Sequence, residues 1–324
     1  MAPDMAQLLR IADITAEAQG VGYFLCAFKE ERQTRSGGSF LCLTLRDRTG
    51  EIRGTIFDEV EKLRDGFEQD DFVKVEARGR LYQNRVELLI SRIRRVVPGD
   101  VEHGFREEDC LPVSPRGIDE MWQELEQRIE AVQDAGVQAL LRRIVADHGE
   151  RLRIWPAAQN VHHAYRSGLL EHILQVARVA HELARVYEAD TDLVFAGAML
   201  HDIGKLYEID YSRVGSYSFE GNLVGHISLG LMLVREAAAG LPSLSERTRT
   251  LIEHLVASHH GSHEFGSPVT PMTVEAFILS AADELDAKLH QVRRAIAEDE
   301  SQGEFTTYHR RLGRVLLKPD ETGS

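Results

Sequence analysis

The sequence predicts two folded parts, an N-terminal five-stranded β-barrel and a C-terminal all-α bundle. Three observations lead to this multidomain fold class. Short apolar segments separated by turn residues occupy residues 11–97. Prolines and glycines are frequent between residues 98 and 117, which indicates a linker. From Ile118 onward apolar residues recur with helical periodicity. A chain of 324 residues is long enough for two such parts, each with its own core.

The barrel strands follow from apolar segments that end at turn signals. The five predicted strands are Gly22–Phe28, Phe40–Leu45, Glu51–Phe57, Asp71–Ala77 and Val86–Ile90. A short helix, Glu59–Leu63, is expected between the third and fourth strands. This order is typical of an OB-type barrel, a fold that often binds single-stranded nucleic acid. We therefore predict an OB-fold nucleic-acid-binding domain over residues 1–100 and a linker over residues 101–117.

Seven helices are predicted in the second part, which we expect to span residues 118–324. They are Ile118–Gln133, Val137–His148, Leu169–Tyr187, Asp192–Leu200, Ile227–Ala239, Thr248–His260 and Val274–Ala297. The glycine-rich stretch Leu206–Gly225 is expected to be irregular.

The net charge of −14 argues at first against a nucleic-acid partner, but the charge is unevenly distributed. Residues 1–100 carry 16 basic and 17 acidic side chains, whereas the remainder carries 22 basic and 35 acidic ones. The segment Phe72–Val97 contains seven basic residues and two acidic ones. A basic surface on the predicted barrel is therefore compatible with the acidic total.

Arginines and aromatic residues of the predicted barrel are the candidate contacts to nucleic acid. The arginines that we select are Arg46, Arg53, Arg80 and Arg85, although arginines on hairpins are often merely solvated. The aromatic candidates are Phe40, Phe57, Phe72 and Tyr82, with Phe57 and Tyr82 selected as substrate contacts. Packing inside the barrel is the simpler expectation for any one of these rings taken alone.

The remaining composition favours a cytoplasmic protein. The three cysteines, Cys26, Cys42 and Cys110, have no metal-ligand spacing and are expected to be reduced thiols. Neither an apolar run long enough to cross a membrane nor a signal-peptide core is present, so no membrane partner is expected. The oligomeric state is left open, with a homo-oligomer as one alternative.

Two adjacent pairs of polar residues on apolar helices indicate a metal site. His201-Asp202 follows a strongly apolar helix, and His259-His260 ends another. Buried imidazoles and carboxylates are costly unless they are paired or ligated. His172 shares a helix face with apolar residues and is expected to point into the core.

His226 and Asp283 extend the set, because one opens a predicted helix and the other lies on a largely apolar one. Imidazole and carboxylate without thiolate suit Mn, Fe, Co, Ni or Zn. Asp202 has two carboxylate oxygens and is the natural bridge between two ions.

The ordered set of motifs resembles a known family of enzymes. The motifs are His162-His163, Gly168–His172, Leu200–Lys205, Glu220–His226, Ser258–Gly261, Gly266–Pro268 and Asp283–Lys288. Together they resemble the HD superfamily of metal-dependent phosphohydrolases. With the barrel in front they are similar to the bacterial 3′→5′ exoribonucleases that join an OB domain to an HD domain. The resemblance runs from about Ile11 to about Tyr308.

This resemblance implies a metal-dependent nuclease that acts on single-stranded RNA and releases nucleoside 5′-monophosphates, with single-stranded DNA left open as a second substrate. Two divalent transition-metal ions are implied, with Mn²⁺ or Co²⁺ as the usual activators. The first ion would take His172, His201, Asp202 and Asp283. The second would share Asp202 and take His226 and His259, with His260 as a ligand or a neighbour of one. The ions would activate water as hydroxide for attack on the terminal phosphodiester.

Four further residues are candidates for substrate chemistry. Lys205 follows Asp202 by three residues, so we expect it to hold a phosphate oxygen; a helix-capping lysine is the simpler alternative. His162, His163 and Arg166 precede the first metal-ligand helix and could contact phosphate or protonate the leaving 3′-oxygen. A structural role for one of the two histidines is equally compatible with the sequence.

Three alternatives compete with this interpretation. A phosphodiesterase of the same scaffold could act on cyclic or small nucleotides, and the barrel is the feature that argues against it. A binding module with an inactive HD domain would have been expected to lose at least one ligand. A purely structural protein is favoured by nothing in the sequence.

Overall fold

The protein was analysed as a computed structural model, which describes residues 8–34, 37–83, 85–111, 114, 116–157, 165–210, 217–299 and 301–319. The chain divides into two compact units, with the main division at Ser114. The predicted boundaries at residues 1–100, 101–117 and 118–324 stay predictions, since only the two units themselves are distinguished.

The first unit contains a closed five-stranded barrel with strand order β1-β2-β3-β5-β4. Its strands are β1 (Gln19–Gln33), β2 (Ser39–Asp47), β3 (Gly50–Ile56), β4 (Phe72–Tyr82) and β5 (Arg85–Arg95). The short helix α1 (Val60–Leu63) lies between β3 and β4. Antiparallel pairing of β1 with β4 and parallel pairing of β3 with β5 close the sheet. The predicted OB-type barrel is confirmed.

Alternation along the strands builds the barrel core. Leu41, Leu43 and Leu45 of β2 are fully buried, as is Phe24 of β1. The observed strands are longer than the predicted ones, because bulges in β1 and β5 let long strands bend around the barrel.

Much of the predicted linker is folded. Pro98–His103 forms a 3₁₀ turn and α2 (Glu107–Cys110) follows it. Asp100 is buried and accepts hydrogen bonds from Arg94 at 2.7 and 2.8 Å and from Lys74 at 3.2 Å. This ion pair holds the turn on β4 and β5, which composition alone could not indicate.

The second unit is helical. Its longer helices are α3 (Ile118–Glu130), α4 (Ala135–Ile154), α5 (Gly168–Val186), α6 (Thr191–Leu200), α9 (His226–Ala238), α10 (Glu246–Ser258) and α11 (Val274–Glu298). Every side chain of α6 from Leu193 to Leu200 is buried, and α4, α5, α10 and α11 pack around it. The all-α bundle is thus confirmed. None of the described helices is long and apolar enough to span a membrane.

The stretch predicted to be irregular contains two short helices, α7 (Lys205–Glu208) and α8 (Phe219–Val224). Both are too short to show helical periodicity in the sequence. Ser218 caps α8 by accepting a hydrogen bond from Gly221 N at 2.8 Å. Residues 211–216 between the two helices lie outside the described part of the chain.

Candidate metal centre

Five helices bring the seven predicted metal ligands to one place. His172 lies on α5, His201 and Asp202 directly follow α6, and His226 begins α9. His259 and His260 directly follow α10, and Asp283 lies on α11. His172, His201, Asp202 and His259 are almost completely buried, although each is polar.

The first group of donor atoms is compact. His172 Nε2 lies 3.1 Å from His201 Nε2, 3.2 Å from Asp283 Oδ1 and 3.4 Å from Asp202 Oδ2. His201 Nε2 is also 3.4 Å from Asp202 Oδ2. Ligand atoms around one divalent ion at about 2.1 Å are separated by about 3.0–3.4 Å. The four side chains therefore have the spacing of a metal-ligand set.

The second group lies on the other side of Asp202. Asp202 Oδ1 is 3.6 Å from His226 Nε2 and 3.8 Å from His259 Nε2. Donor atoms of His226, His259 and His260 all lie within 4.8 Å of one another. Asp202 Oδ1 and His226 Nε2 are buried and have no hydrogen-bond partner in the described structure. A cation between these atoms would satisfy both of them.

The Nδ1 atoms of two histidines are held by carboxylates. His172 Nδ1 lies 2.8 Å from Asp286 Oδ2, and His226 Nδ1 lies 3.0 Å from Glu208 Oε1. Glu208 also accepts a hydrogen bond from the His226 backbone at 2.9 Å. Because a carboxylate can only accept, each Nδ1 donates and each Nε2 faces the centre of the site.

Backbone carbonyls hold the other three rings in the same orientation, with Nδ1 directed away from the centre of the site. His201 Nδ1 lies 2.9 Å from Ala198 O, and His259 Nδ1 lies 2.8 Å from Val256 O. His260 Nδ1 lies 2.7 Å from Phe265 O. Each of these contacts makes Nδ1 the protonated nitrogen and leaves the Nε2 lone pair available. All five imidazoles thus present the nitrogen that binds metals.

The electrostatics of the groups differ from one side of Asp202 to the other. Burial lowers the pKa of His259 and His260, which keeps their rings neutral at neutral pH. Burial acts in the same direction on His172, but hydrogen bonds to three aspartates raise the pKa of that ring. Burial would raise the pKa of Asp202, yet the charge of Lys205 and the neighbouring imidazoles hold it well below its usual range. The carboxylate is therefore ionised and suited to bind cations.

Lys205 donates a hydrogen bond to Asp202 Oδ2 at 2.6 Å. Burial would lower the pKa of this ammonium, but Asp202 raises it, so the charge is retained. Lys205 begins α7 and does not cap α6, which ends at Leu200. The helix-capping alternative is therefore wrong, and the ammonium lies in contact with the ligand cluster.

Of the candidates that precede α5, only Arg166 lies within the described residues. His162 and His163 lie outside the described residues. Arg166 is partly exposed, and its carbonyl accepts a hydrogen bond from Ser114 N at 3.0 Å. The structure places no described ion pair on the Arg166 guanidinium.

Three of the selected barrel residues share one surface. The Arg80 guanidinium lies 5.3 Å from the Phe57 ring and 5.5 Å from the Tyr82 ring. Phe57 is 41% exposed and Tyr82 is 49% exposed, and Phe40 stacks on Phe57 with ring centroids 5.3 Å apart. We call Phe40, Phe57, Arg80 and Tyr82 the barrel platform. The expectation that each ring taken alone is core is wrong for Phe57 and Tyr82.

Of the other selected arginines, Arg85 pairs with Tyr82 of this platform across β4 and β5. Arg46 is paired with Glu51 across β2 and β3, and Arg53 and Arg85 are exposed. Phe72 of β4 is half-buried and packs on Phe105 with centroids 5.7 Å apart, so its ring contacts the folded part of the predicted linker.

Comparison with known proteins agrees with this architecture. Residues 27–96 match the OB-fold nucleic acid binding domain model, and residues 169–288 match the HD domain model. The chain is 34% identical over 272 residues to the 3′-5′ exoribonuclease YhaM of Geobacillus sp., covering 84% of this chain and 82% of that protein. The chain belongs to the YhaM family of 3′-5′ exoribonucleases.

Two further proteins are similar to this chain. The YhaM protein of Bacillus subtilis is 34% identical over 285 residues, covering 88% of this chain and 89% of that protein. Among solved structures, the second OB-fold domain of replication protein A from Methanococcus maripaludis is 21% identical. It covers 28% of this chain and 95% of that domain with a TM-score of 0.24, which adds nothing to the family assignment.

Sequence reasoning missed the two carboxylates that hold the imidazoles. Asp286 lies three residues after Asp283 on α11, a spacing that puts both on one helix face and could have identified it. Glu208 lay in the stretch expected to be irregular, and its contact with His226 spans 18 residues. No pattern in the sequence links that pair.

Proposed function

We propose that the protein is a metal-dependent 3′→5′ exoribonuclease that hydrolyses single-stranded RNA to nucleoside 5′-monophosphates. Membership of the YhaM family supports the reaction class. The observation that carries the proposal is the convergence of five Nε2 atoms and three carboxylate oxygens, with every Nδ1 held by an oxygen acceptor. Single-stranded DNA is a second polymer that the same chemistry would accept.

The ligand cluster fits two divalent ions that share Asp202. His172, His201, Asp202 and Asp283 would hold one ion. The second ion would be held by the other Asp202 oxygen with the histidines of the second group, His226, His259 and His260. When bound, Mn²⁺ or Co²⁺ would supply an activated water and positive charge beside the phosphoryl oxygens. The mixed imidazole and carboxylate set favours such ions over Mg²⁺.

Lys205 is proposed to bind a non-bridging oxygen of the terminal phosphate. Its ammonium is buried against Asp202, and its charge is retained there. A preorganised charge next to the reacting phosphate stabilises the negative charge that develops on its oxygens. His162, His163 and Arg166 are proposed to bind phosphate or to protonate the leaving 3′-oxygen.

The barrel platform is proposed to hold bases of the single strand. Exposed rings with an arginine between them offer stacking surfaces that tolerate any base. Arg46, Arg53 and Arg85 are proposed to bind the strand's phosphates.

A cytoplasmic location is also proposed. The cysteines in the described structure, Cys26, Cys42 and Cys110, are all buried and form no disulfide there, as expected for a reducing compartment.

The activity test uses 5′-labelled single-stranded RNA and DNA with Mn²⁺, Co²⁺, Mg²⁺ or Zn²⁺. We expect the RNA to shorten from its 3′ end and to release mononucleotides. Asp202→Ala should abolish hydrolysis and leave RNA binding intact, whereas Asp147→Ala, an exposed carboxylate on α4, should behave as wild type. Turnover of bis-p-nitrophenyl phosphate without cleavage of any polymer would instead support a phosphodiesterase of small nucleotides.

A matched pair of substitutions tests the platform. Phe57 is 41% exposed and Phe28 is 42% exposed, so their truncations remove similar exposed rings. Phe57→Ala should weaken binding of a 20-nucleotide RNA about 5- to 160-fold, the range of one lost base stack of about 1–3 kcal/mol. Phe28→Ala should leave that affinity unchanged. Equal affinities for both variants would contradict the role of the platform.

A further inference from the structure

The C-terminal residues form a hairpin that carries an unusual concentration of arginine. Phe305 pairs with Leu317 and His309 pairs with Arg314, and a turn at Gly313 with φ +65° joins the two arms. We call Phe305–Leu317 the basic hairpin. It contains Arg310, Arg311 and Arg314 and no acidic residue, although the chain after residue 100 carries 35 acidic and 22 basic side chains.

Asp299 holds the base of the basic hairpin in place. Its carboxylate accepts hydrogen bonds from Thr307 N at 2.7 Å, from Thr307 Oγ1 at 2.8 Å and from Ser301 N at 3.0 Å. Lys318 Nζ lies 2.7 Å from the same carboxylate. Thr306, between the arms, is buried and donates from its backbone N to Leu316 O at 2.8 Å. The hairpin is therefore an ordered element that presents its arginines in a fixed arrangement.

The arginines of the basic hairpin differ from five exposed arginines on the helices, which are neutralised by acids in Arg142–Glu130, Arg143–Asp147, Arg178–Glu124, Arg185–Glu182 and Arg235–Glu253. Two further helical arginines, Arg247 and Arg293, are exposed and make no ion pair with any described residue. Arg310, Arg311 and Arg314 are exposed and make no ion pair with any described residue. Their charge is left for an external anion.

Tyr308 adds an aromatic surface next to these charges, since it is 64% exposed. A guanidinium group can bind two oxygens of one phosphate at once and can also stack on a base. Exposed tyrosine rings stack on bases as well. Arginine with an exposed aromatic ring matches single-stranded nucleic acid better than it matches an acidic protein surface, which offers no stacking partner.

We propose that the basic hairpin is a second RNA-binding surface, separate from the barrel, that grips the strand upstream of its 3′ end. This inference rests on the proposed exoribonuclease function. The base of the hairpin follows α11, and the end of that helix lies about 23 Å from Asp283 at a rise of about 1.5 Å per residue. A stacked single strand covers that span in about seven nucleotides at 3.4 Å each. The surface would therefore engage long RNA and not the shortest products.

The test measures binding of a 20-nucleotide single-stranded RNA to the full chain in EDTA, so that nothing is cleaved. The variants are Arg310→Gln/Arg311→Gln/Arg314→Gln and the double variant Arg310→Gln/Arg311→Gln, which leaves the Arg314 contact to Leu312 O intact. The control, Arg142→Gln/Arg143→Gln/Arg185→Gln, removes the same charge from paired arginines.

Each lost phosphate contact should reduce the slope of log affinity against log salt by about 0.7. The slope of the triple variant should thus be smaller by about 2. Its loss of RNA affinity relative to wild type should therefore become about 16-fold smaller between 50 and 200 mM salt. The double variant should lose about 1.4 and the control nothing. In cleavage assays with Mn²⁺, KM for the 20-mer should rise in both hairpin variants while KM for a tetranucleotide stays unchanged.

An unchanged slope in both hairpin variants would overturn the proposal and leave an acidic protein as the partner. An equal loss in the control would overturn it as well, because net charge alone would then explain the effect. Failure of the wild type to cleave RNA would refute the proposed function and leave the binding result as it stands.

Discussion

Gly204 is the position where a single methyl group should disrupt the metal centre. Its φ of −64° and ψ of −18° suit any residue, so alanine causes no backbone strain there and would restrict the unfolded chain, a gain of about 1 kcal/mol. A Cβ at this position would nevertheless lie 2.0 Å from His226 O and 2.6 Å from Gly230 N. Ordinary contacts need about 3.5 Å. The start of α9 would therefore have to move by more than 1 Å.

That movement would carry His226 away from Asp202 and would lower the free energy of unfolding. Overpacking costs about 1–3 kcal/mol, and a collision with backbone on α9 belongs at the upper end. After the gain from the restricted unfolded chain, Gly204→Ala should lower the free energy of unfolding by about 2 kcal/mol. Hydrolysis should fall about 100-fold, as expected for a misplacement near 1 Å.

Gly197→Ala is the matched control, because the three atoms nearest its Cβ all belong to side chains: the ends of Leu279 and Leu255 at 2.9 and 3.0 Å and Leu255 Cβ at 3.3 Å. Those side chains can move, so the control should lie within about 1 kcal/mol of wild type. Urea unfolding in EDTA and the rate of RNA hydrolysis with Mn²⁺ measure both effects. A Gly204→Ala protein with wild-type stability and activity would refute the reasoning.

The remaining predictions concern a residue that positions a ligand and an ion-pair hub. Glu208→Gln should weaken Mn²⁺ binding about 10- to 100-fold, because the carboxylate holds His226 by two hydrogen bonds; a manganese titration with wild-type affinity would contradict this. Burial would raise the pKa of Glu124, but hydrogen bonds from Arg178 and Arg116 help to lower it to about 2. Glu124→Gln should therefore cost about 1 kcal/mol of unfolding free energy at neutral pH after solvent screening. Because the folded-state pKa is lowered, this difference should be present above pH 4.5 and shrink as the pH falls toward 2; a difference independent of pH would contradict it.

Periodicity predicted the elements that carry the site, because burial on one face leaves a regular mark in the sequence. The His172 side chain was expected in the core from its apolar neighbours on α5, and it is fully buried. Alternation in β2 predicted the inward Leu41, Leu43 and Leu45 in the same way. Roles of individual ligands come from family resemblance and stay predictions.

Contacts between distant segments could not be predicted from pattern. The partner of His172 Nδ1 is Asp286, 114 residues away, and the choice depends on how α5 and α11 pack. The stacking of Phe40 on Phe57 depends on the register of β2 with β3 and on the turn that follows β3. The ion pair between Asp299 and Lys318 likewise stabilises the C-terminal hairpin, and neither helical nor strand periodicity predicts that contact.

The central claim is a two-ion centre bridged by Asp202, and the metal content of the purified chain tests it most directly. After loading with Mn²⁺ and removal of free metal, the wild type should hold two ions per chain. His226→Ala and His172→Ala should each retain about one ion, and Asp202→Ala should lose both, because Asp202 places one carboxylate oxygen beside each group. One ion in the wild type, or two ions in Asp202→Ala, would contradict the account.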